Sequence, residues 1–256
     1  MTGGHLLRSC LLTCSCVLAA VRLAAQADEI QVYTGELESP GRANLTVHAN
    51  YTAKGRTTAE FPGGVVPQHS LNGAFEWAYG VTSWFEAGTY LPVYSITRDH
   101  SLQLDGVKLR ALFAIPHAES RALFYGVNFE LSFNSRRWEE TRNSAEARPI
   151  IGTRARGWEL IVNPILDTSF SSAKHLDFAP CARVAYNPTP VVALAIEHYA
   201  DFGELDRIDA REKQEHNLFA VADVSRKYFD LETGIGFGLT KASDRLVLKT
   251  ILAHTF

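Results

Sequence analysis

The chain has 256 residues, 46% of them hydrophobic, with a formal charge of −3 at pH 7. That mild acidity argues against a nucleic-acid surface, and no stretch after residue 27 is apolar for the length a membrane-spanning helix needs. Cys10, Cys14 and Cys16 crowd the N-terminus, so Cys181 alone lies in the body of the chain, which excludes an internal disulfide or a cysteine metal site there.

Residues 1–27 read as a secretory signal peptide. Arg8 gives a basic start, Leu11 to Val21 an apolar stretch broken by Thr13 and Ser15, and Ala25-Gln26-Ala27 a cleavage site. Leu11-Leu12-Thr13-Cys14 can also be read as a lipobox, with Thr13 a poor residue before the cysteine. Cleavage after Ala27 removes Arg8 and Arg22 and takes the formal charge from −3 to −5. The segment from Asp28 to Ser39 has no periodicity; it either lies in the periplasm or plugs a pore, and we assign residues 28–42 as a periplasmic N-terminal segment ahead of a barrel domain, 43–256.

From Ala43 onward the chain repeats one theme: runs with period-two alternation, bounded by turn residues. The spacing predicts strands over Ala43–Lys54, Ser70–Gly80, Ser83–Tyr94, Leu104–Ile115, Arg121–Ser135, Ala145–Ala155, Gly157–Ser169, Leu176–Asn187, Pro190–Asp201, Lys213–Ser225, Lys227–Gly238 and Arg245–Phe256. Each has about the length that crosses a bilayer when tilted. Short links at Val81-Thr82, Pro116–Ser120, Arg156, Pro188-Thr189 and Arg226 alternate with longer ones at Gly55–His69, Ser95–Ser101, Arg136–Ser144, Ser171–His175, Phe202–Glu212 and Leu239–Asp244. Bacterial barrels place short turns in the periplasm and long loops outside. Dividing Ala145–Ser169 at Arg156-Gly157 is the least marked boundary, and the even strand number of single-chain bacterial barrels decides for twelve.

Alternation separates two faces. In the fifth run Leu123, Tyr125, Val127, Phe129, Leu131 and Phe133 oppose Gly126, Asn128, Glu130, Ser132 and Asn134; in the eleventh Phe229, Leu231, Ile235 and Phe237 oppose Asp230, Glu232, Gly234, Gly236 and Gly238. A soluble barrel keeps the apolar face inside; the signal peptide and the number and length of the strands favour the reverse, with that face toward lipid. The inferred lumen then carries Glu76, Glu86, Lys108, Arg110, Glu130, Glu159, Arg183, Glu197, Asp223, Glu232, Arg245 and Lys249. Facing lipid near the midplane, each Arg or Lys would cost about 2–4 kcal/mol. The twelfth run leaves a strand edge that must be paired, and closure pairs it. Its ending on Phe256 resembles the assembly signal of bacterial outer-membrane barrels, which implies the barrel-assembly machinery as a partner.

Several stretches resemble a bacterial family of outer-membrane barrel "transporters" related to porin-like proteins associated with phenol-degradation (MetA) pathways. They are Asp28-Glu29-Ile30-Gln31-Val32-Tyr33, Tyr125-Gly126-Val127-Asn128-Phe129-Glu130, Arg148-Pro149-Ile150-Ile151-Gly152, the run from Trp158 to Leu166, and Glu197-His198-Tyr199-Ala200-Asp201-Phe202-Gly203. The resemblance implies an outer-membrane location and an all-β, antiparallel up-and-down transmembrane barrel of about twelve strands. It implies no particular solute.

Candidate sites are weighed on this frame. Glu76, Glu86, Lys108, Arg110, Asn128, Glu130, Glu159, Asn163, Arg183, Glu197, Glu232 and Lys249 are expected to line the lumen and set its selectivity, or to pair off inside it. Glu130, Glu159 and Asn163, with Arg148 or Arg154 between, form either a site for a polar solute or cation or a salt-bridge ladder. Glu76 and Glu86 repel across a hairpin unless a cation, Lys108 or Arg110 intervenes. His198 and His216 fall on the lipid side near the outer rim; a lipid hydrolase built on them needs a nucleophile within reach, and Thr168 is remote, so two interfacial histidines are preferred. Trp77, Trp84, Trp138, Trp158, Tyr79, Tyr90, Tyr94, Tyr186 and Tyr199 are expected in aromatic girdles. Cys181 is read as a partnerless space-filler facing the lumen. The expectation is a channel giving passive or weakly selective passage to a small solute, in contact with membrane lipid and lipopolysaccharide, without catalytic residues, metal, cofactor or nucleic acid. The alternatives are a closed scaffolding or adhesive barrel and, after it, a lipid hydrolase.

Overall fold

A strand with one apolar and one polar face needs two environments at once, and this chain supplies them by rolling a single sheet into a closed wall. The computed structural model describes residues 28–169 and 176–256; the expected signal peptide, with its three cysteines, and the Ser171–His175 link lie outside that range. Strands β1 (Ala43–Lys54), β2 (Leu71–Thr82), β3 (Phe85–Ile96), β4 (Leu102–Ala114), β5 (Leu123–Asn134) and β6 (Asn143–Ala155) are continuous. Two interrupted strands follow: β7 (Trp158–Asn163, then Leu166–Ser169) and β8 (Asp177–Phe178, then Cys181–Thr189). The wall is completed by β9 (Val192–Asp201), β10 (Glu215–Arg226), β11 (Phe229–Gly238) and β12 (Leu246–Thr255). Neighbours are antiparallel throughout, and β1 pairs with β12 from Asn44↔Thr255 to Lys54↔Leu246, which leaves no open edge. Twelve strands close the barrel, as expected.

The division at Arg156-Gly157 is borne out. Both residues take positive φ, 52° and 82°, as a two-residue hairpin turn of the primed kind requires. The turns after β2, β8 and β10 sit one or two residues later than expected, at 83–84, 190–191 and 227–228. The seventh and eighth strands differ more from expectation. Pro164 and Pro180 cannot donate to the ladder, and each interrupts its strand; because Asn163 pairs with Cys181 and Leu166 with Phe178, the two gaps face each other. Ala179 N–H still reaches Ile165 O at 3.1 Å, so the wall remains joined there.

The faces divide as the alternation predicts. On β5, Phe129 is 45% exposed while its neighbours Asn128 and Glu130 are 0% and 2% exposed. The interior is not uniformly polar, however: Leu112, Phe124, Ile150, Ile161, Phe219 and Val221 also point inward and form one apolar cluster. The outward placement that a girdle requires is found for Trp77, Trp84, Trp158, Tyr79 and Tyr186, which are exposed. It fails for four others. Tyr90 and Tyr199 are buried among the inward groups, Trp138 packs with Tyr90 and Val93 from the β5–β6 loop, and Tyr94 is buried with its hydroxyl donating to His48 O.

Residues 28–42, assigned to the periplasm with a plug as the other reading, depart from that assignment toward the second: Asp28, Glu29, Val32 and Tyr33 are buried inside the barrel, and Val32 and Tyr33 join the inward apolar cluster. The inward apolar side chains are the reason, since they would otherwise face an aqueous lumen. The segment leaves the lumen against β2, where Gly80 has no side chain; a Cβ there would lie 2.4 Å from the carbonyl oxygens of Glu38 and Ser39.

Replacing Phe129 by lysine places a charge on the lipid face. Urea unfolding from vesicles is expected to show a loss of up to about 2–4 kcal/mol, whereas Glu119→Lys, in the exposed short turn before β5, is expected to change little.

Candidate functional site

Hydrogen-bonding groups along the wall hold the segment 28–38 in place. Asn163, on β7, acts on the backbone: Tyr33 N–H donates to its Oδ1 at 2.7 Å and its Nδ2 donates to Tyr33 O at 3.2 Å, so one side chain replaces a strand neighbour. The Tyr33 hydroxyl meets the Tyr90 hydroxyl at 2.6 Å, and the Arg148 guanidinium lies 4.6 Å from the centre of the Tyr33 ring. Arg148 Nη1 also donates to Gln31 O at 3.3 Å, and Lys249 Nζ to Ile30 O at 3.2 Å. Glu38, at the exit, donates its N–H to Glu86 Oε2 at 2.6 Å.

Charges are matched between segment and wall. Asp28 pairs with Lys108 at 2.6 Å, Glu29 with Arg148 at 3.5 Å and Glu36 with Arg154 at 3.3 Å. Within the wall, Arg110 lies between Glu76 (3.0 Å) and Glu86, so it is the group that relieves their repulsion; Lys108 is engaged by Asp28 and lies 3.7 Å from Glu130. His48 Nε2 is 3.0 Å from the other Glu76 oxygen. A second network joins Arg183 to Glu197 (2.5 Å), Asp223 and Glu232 (3.5 Å), and Lys249 to Glu197 and Glu232 (2.5 Å). Tyr199 hydroxyl donates to Glu197 Oε2 at 2.6 Å. Removing either partner of such a buried pair strands a charge in a medium that solvates it poorly.

All twelve candidate lumen residues therefore lie on the inner face, but not as the expected clusters. The Glu130–Glu159–Asn163 group is split. Glu159 pairs with Arg154 and stands 3.9 Å from Arg183; Glu130 accepts from Asn128 Nδ2 at 2.8 Å beside Tyr90; Asn163 is committed to the segment. Arg245 lies exposed just ahead of β12 and does not join the interior. Cys181 is a free, buried cysteine, as read, and its thiol lies 3.6 Å from Asn163 Oδ1 and 4.0 Å from Gln31 O. Sequence reasoning missed the counter-charges Asp28, Glu29 and Glu36, and also His48 and Glu146, the latter bound by Arg148 Nε at 2.7 Å. The available signal was the inward parity of Phe124, Ile150, Ile161 and Phe219, which calls for something apolar in the lumen.

The segment divides the lumen. Toward the short links a cavity of about 210 Å³ lies between Glu36, Leu37, Thr46, Ala78 and Arg110; toward the long links a cavity of about 130 Å³ lies above Ile30. In the loop between β5 and β6, burial pushes the Glu139 carboxyl above its ordinary range, opposed by Lys108 and by the Ser144 hydroxyl that donates to it at 2.9 Å. His198 and His216 lie on the outer face, stacked with ring centres 5.3 Å apart and His216 Nδ1 3.2 Å from His198 Nε2, and with His216 Nε2 3.0 Å from Gln214 Oε1. The Ser243 hydroxyl bonds the backbone of His216, not its ring, so no serine serves as a nucleophile to either histidine among the described residues.

With this geometry in view, the comparisons bear on the fold. No protein-family profile and no curated protein matches the chain. Among solved structures it is similar to an outer membrane channel from Pseudomonas putida F1, at 14% identity over 89% of this chain and 100% of that one, with a TM-score of 0.59. The fold is that of an outer-membrane barrel. It is also similar to the KdgM porin (7% identity, 83% of this chain and 99% of that one, TM-score 0.56) and to that porin in complex with disordered oligogalacturonate (8%, 84% and 99%, TM-score 0.52).

Replacing Arg110 by methionine leaves Glu76 and Glu86 facing each other. It is expected to lower stability by about 3–5 kcal/mol, read from urea unfolding in detergent, and Glu76→Gln in the same chain is expected to restore part of the loss.

Proposed function

We propose that this protein is an outer-membrane channel for small solutes whose lumen is closed at rest by residues 28–38. The observation that carries the reading is the nature of the closure: three ion pairs, a side-chain amide clamp and a pair of tyrosine hydroxyls join segment to wall. Water can replace contacts of that kind one at a time, which suits a plug that is displaced and returns. A polar, charged wall remains when the segment leaves, with acidic and basic groups in near balance, so passage is weakly selective. The likeness to channel and porin folds and the resemblance to outer-membrane transporters support this reading. Phe256 is 58% exposed with its N–H bonded to Ala43 O at 2.8 Å, which supports the further reading that assembly machinery engages it.

The extent of charge pairing favours one competing reading, a closed barrel that serves as a scaffold. Planar-bilayer recording separates the two. The full chain is expected to show rare, brief openings. Tyr33→Ala combined with Asn163→Ala is expected to lengthen them by about tenfold or more, since the amide clamp and the Tyr33–Tyr90 contact are among the hydrogen bonds removed, each worth about 0.5–1.5 kcal/mol. Double variants that fold and insert yet stay silent would count for the scaffold.

A further inference from the structure

The cavity on the long-link side of the segment has a composition unlike the rest of the lumen. It is floored by Ile30 and roofed by the β1–β2 loop, whose Val65 N–H donates to Arg137 O at 3.1 Å across the mouth. Four carboxylates line it, Glu60, Asp201, Glu215 and Asp244, against a single cation, Arg56. Arg56 lies 3.5 Å from Glu60, 3.1 Å from Glu215 and 3.6 Å from Asp244, so one guanidinium is shared among three of the four carboxylates.

A second observation points to a ligand. Asn72 lines the same cavity and is 94% buried, being 6% exposed; its amide donates to Ser70 Oγ at 3.1 Å, while its Oδ1 has no partner. A buried carbonyl oxygen without a donor is costly, and a bound donor satisfies it. Phe61 and Trp138 complete the lining with aromatic surface.

These features select a chemical class. An anion would meet four carboxylates, and a neutral polyol would meet mostly acceptors. A bare divalent cation is disfavoured by the guanidinium among the carboxylates, and no group of three His, Cys, Asp or Glu among the described residues is arranged to hold a metal. An alkylammonium group offers up to three N–H donors and a full positive charge, and aromatic rings attract such a cation. About 130 Å³ is close to the roughly 150 Å³ of a protein cavity that takes one benzene ring. We propose that this mouth cavity binds a small organic ammonium ion, its nitrogen held by the carboxylates and Asn72 Oδ1 and its apolar part against Phe61 and Trp138. The site is complete on one side of the segment, so it does not depend on passage through the barrel.

The test is calorimetric titration of the folded full chain in detergent with benzylammonium, and with benzyl alcohol and benzoate as neutral and anionic counterparts of the same shape. Benzylammonium is expected to bind saturably at one site, weaken as salt is raised, and outbind both counterparts. Asn72→Asp is expected to tighten binding and Glu215→Gln to weaken it, each by about tenfold, the worth of one charge-assisted hydrogen bond; folding of each variant is checked by heat-modifiable migration. Equal binding of benzylammonium and benzyl alcohol, or no saturable binding by the folded chain, would overturn the proposal. So would an affinity indifferent to Asn72→Asp, which adds a charge without removing a contact to Arg56.

Discussion

A charge turned into a barrel of this width has to be answered from across the lumen, because bulk water does not reach it and the lipid outside cannot. The wall does part of this itself, with Arg110 between two glutamates and Arg183 and Lys249 sharing a carboxylate network. It does not do all of it. Lys108, Arg148 and Arg154, on β4 and β6, meet acids that come from outside the wall, on residues 28, 29 and 36. The N-terminal segment is thus part of the electrostatics of the barrel, and the wall and the segment are complementary parts of one interior.

The same segment settles the apolar account. Phe124, Ile150, Ile161 and Phe219 face inward, where an open pore would leave them wet, and Val32 and Tyr33 cover them. Tyr33 combines both roles: its ring lies in the apolar cluster and against Arg148, its hydroxyl meets Tyr90, and its backbone is held by Asn163. Burial of this mixed kind defines one resting position for the segment while leaving most of its attachments polar.

What the sequence disclosed follows from which physical signals are periodic. Strand number, link alternation and the division of faces are all carried by period-two patterning, and Arg156-Gly157 marks its turn because few pairs tolerate two positive φ angles. The segment 28–38 has no such period, and its role is set by partners such as Lys108 and Asn163 that stand 80 to 130 positions away in the chain. Pairing across the lumen is likewise invisible to a reading that knows faces but not distances, which is why Glu130 and Glu159 were grouped although different cations hold them. Tyr90 and Tyr199 differ from expectation for a related reason: an aromatic near a strand end serves an interfacial girdle or a lumen equally well, and strand parity decides which, for Tyr90 through the irregular pairing of β3.

The opposed gaps at Pro164 and Pro180 give the wall a directional mechanical character. A closed hydrogen-bonded hoop resists ovalisation evenly, but here two adjacent strands lack donors at the same height, with Ala179 N–H to Ile165 O as the bridging bond. Bending strain in the hoop therefore concentrates at β7 and β8. That seam lies beside Asn163 and Cys181, two of the wall residues that touch the backbone of the segment at Tyr33 and Gln31. A squeeze on the barrel from the surrounding bilayer would thus be felt first where the segment is held.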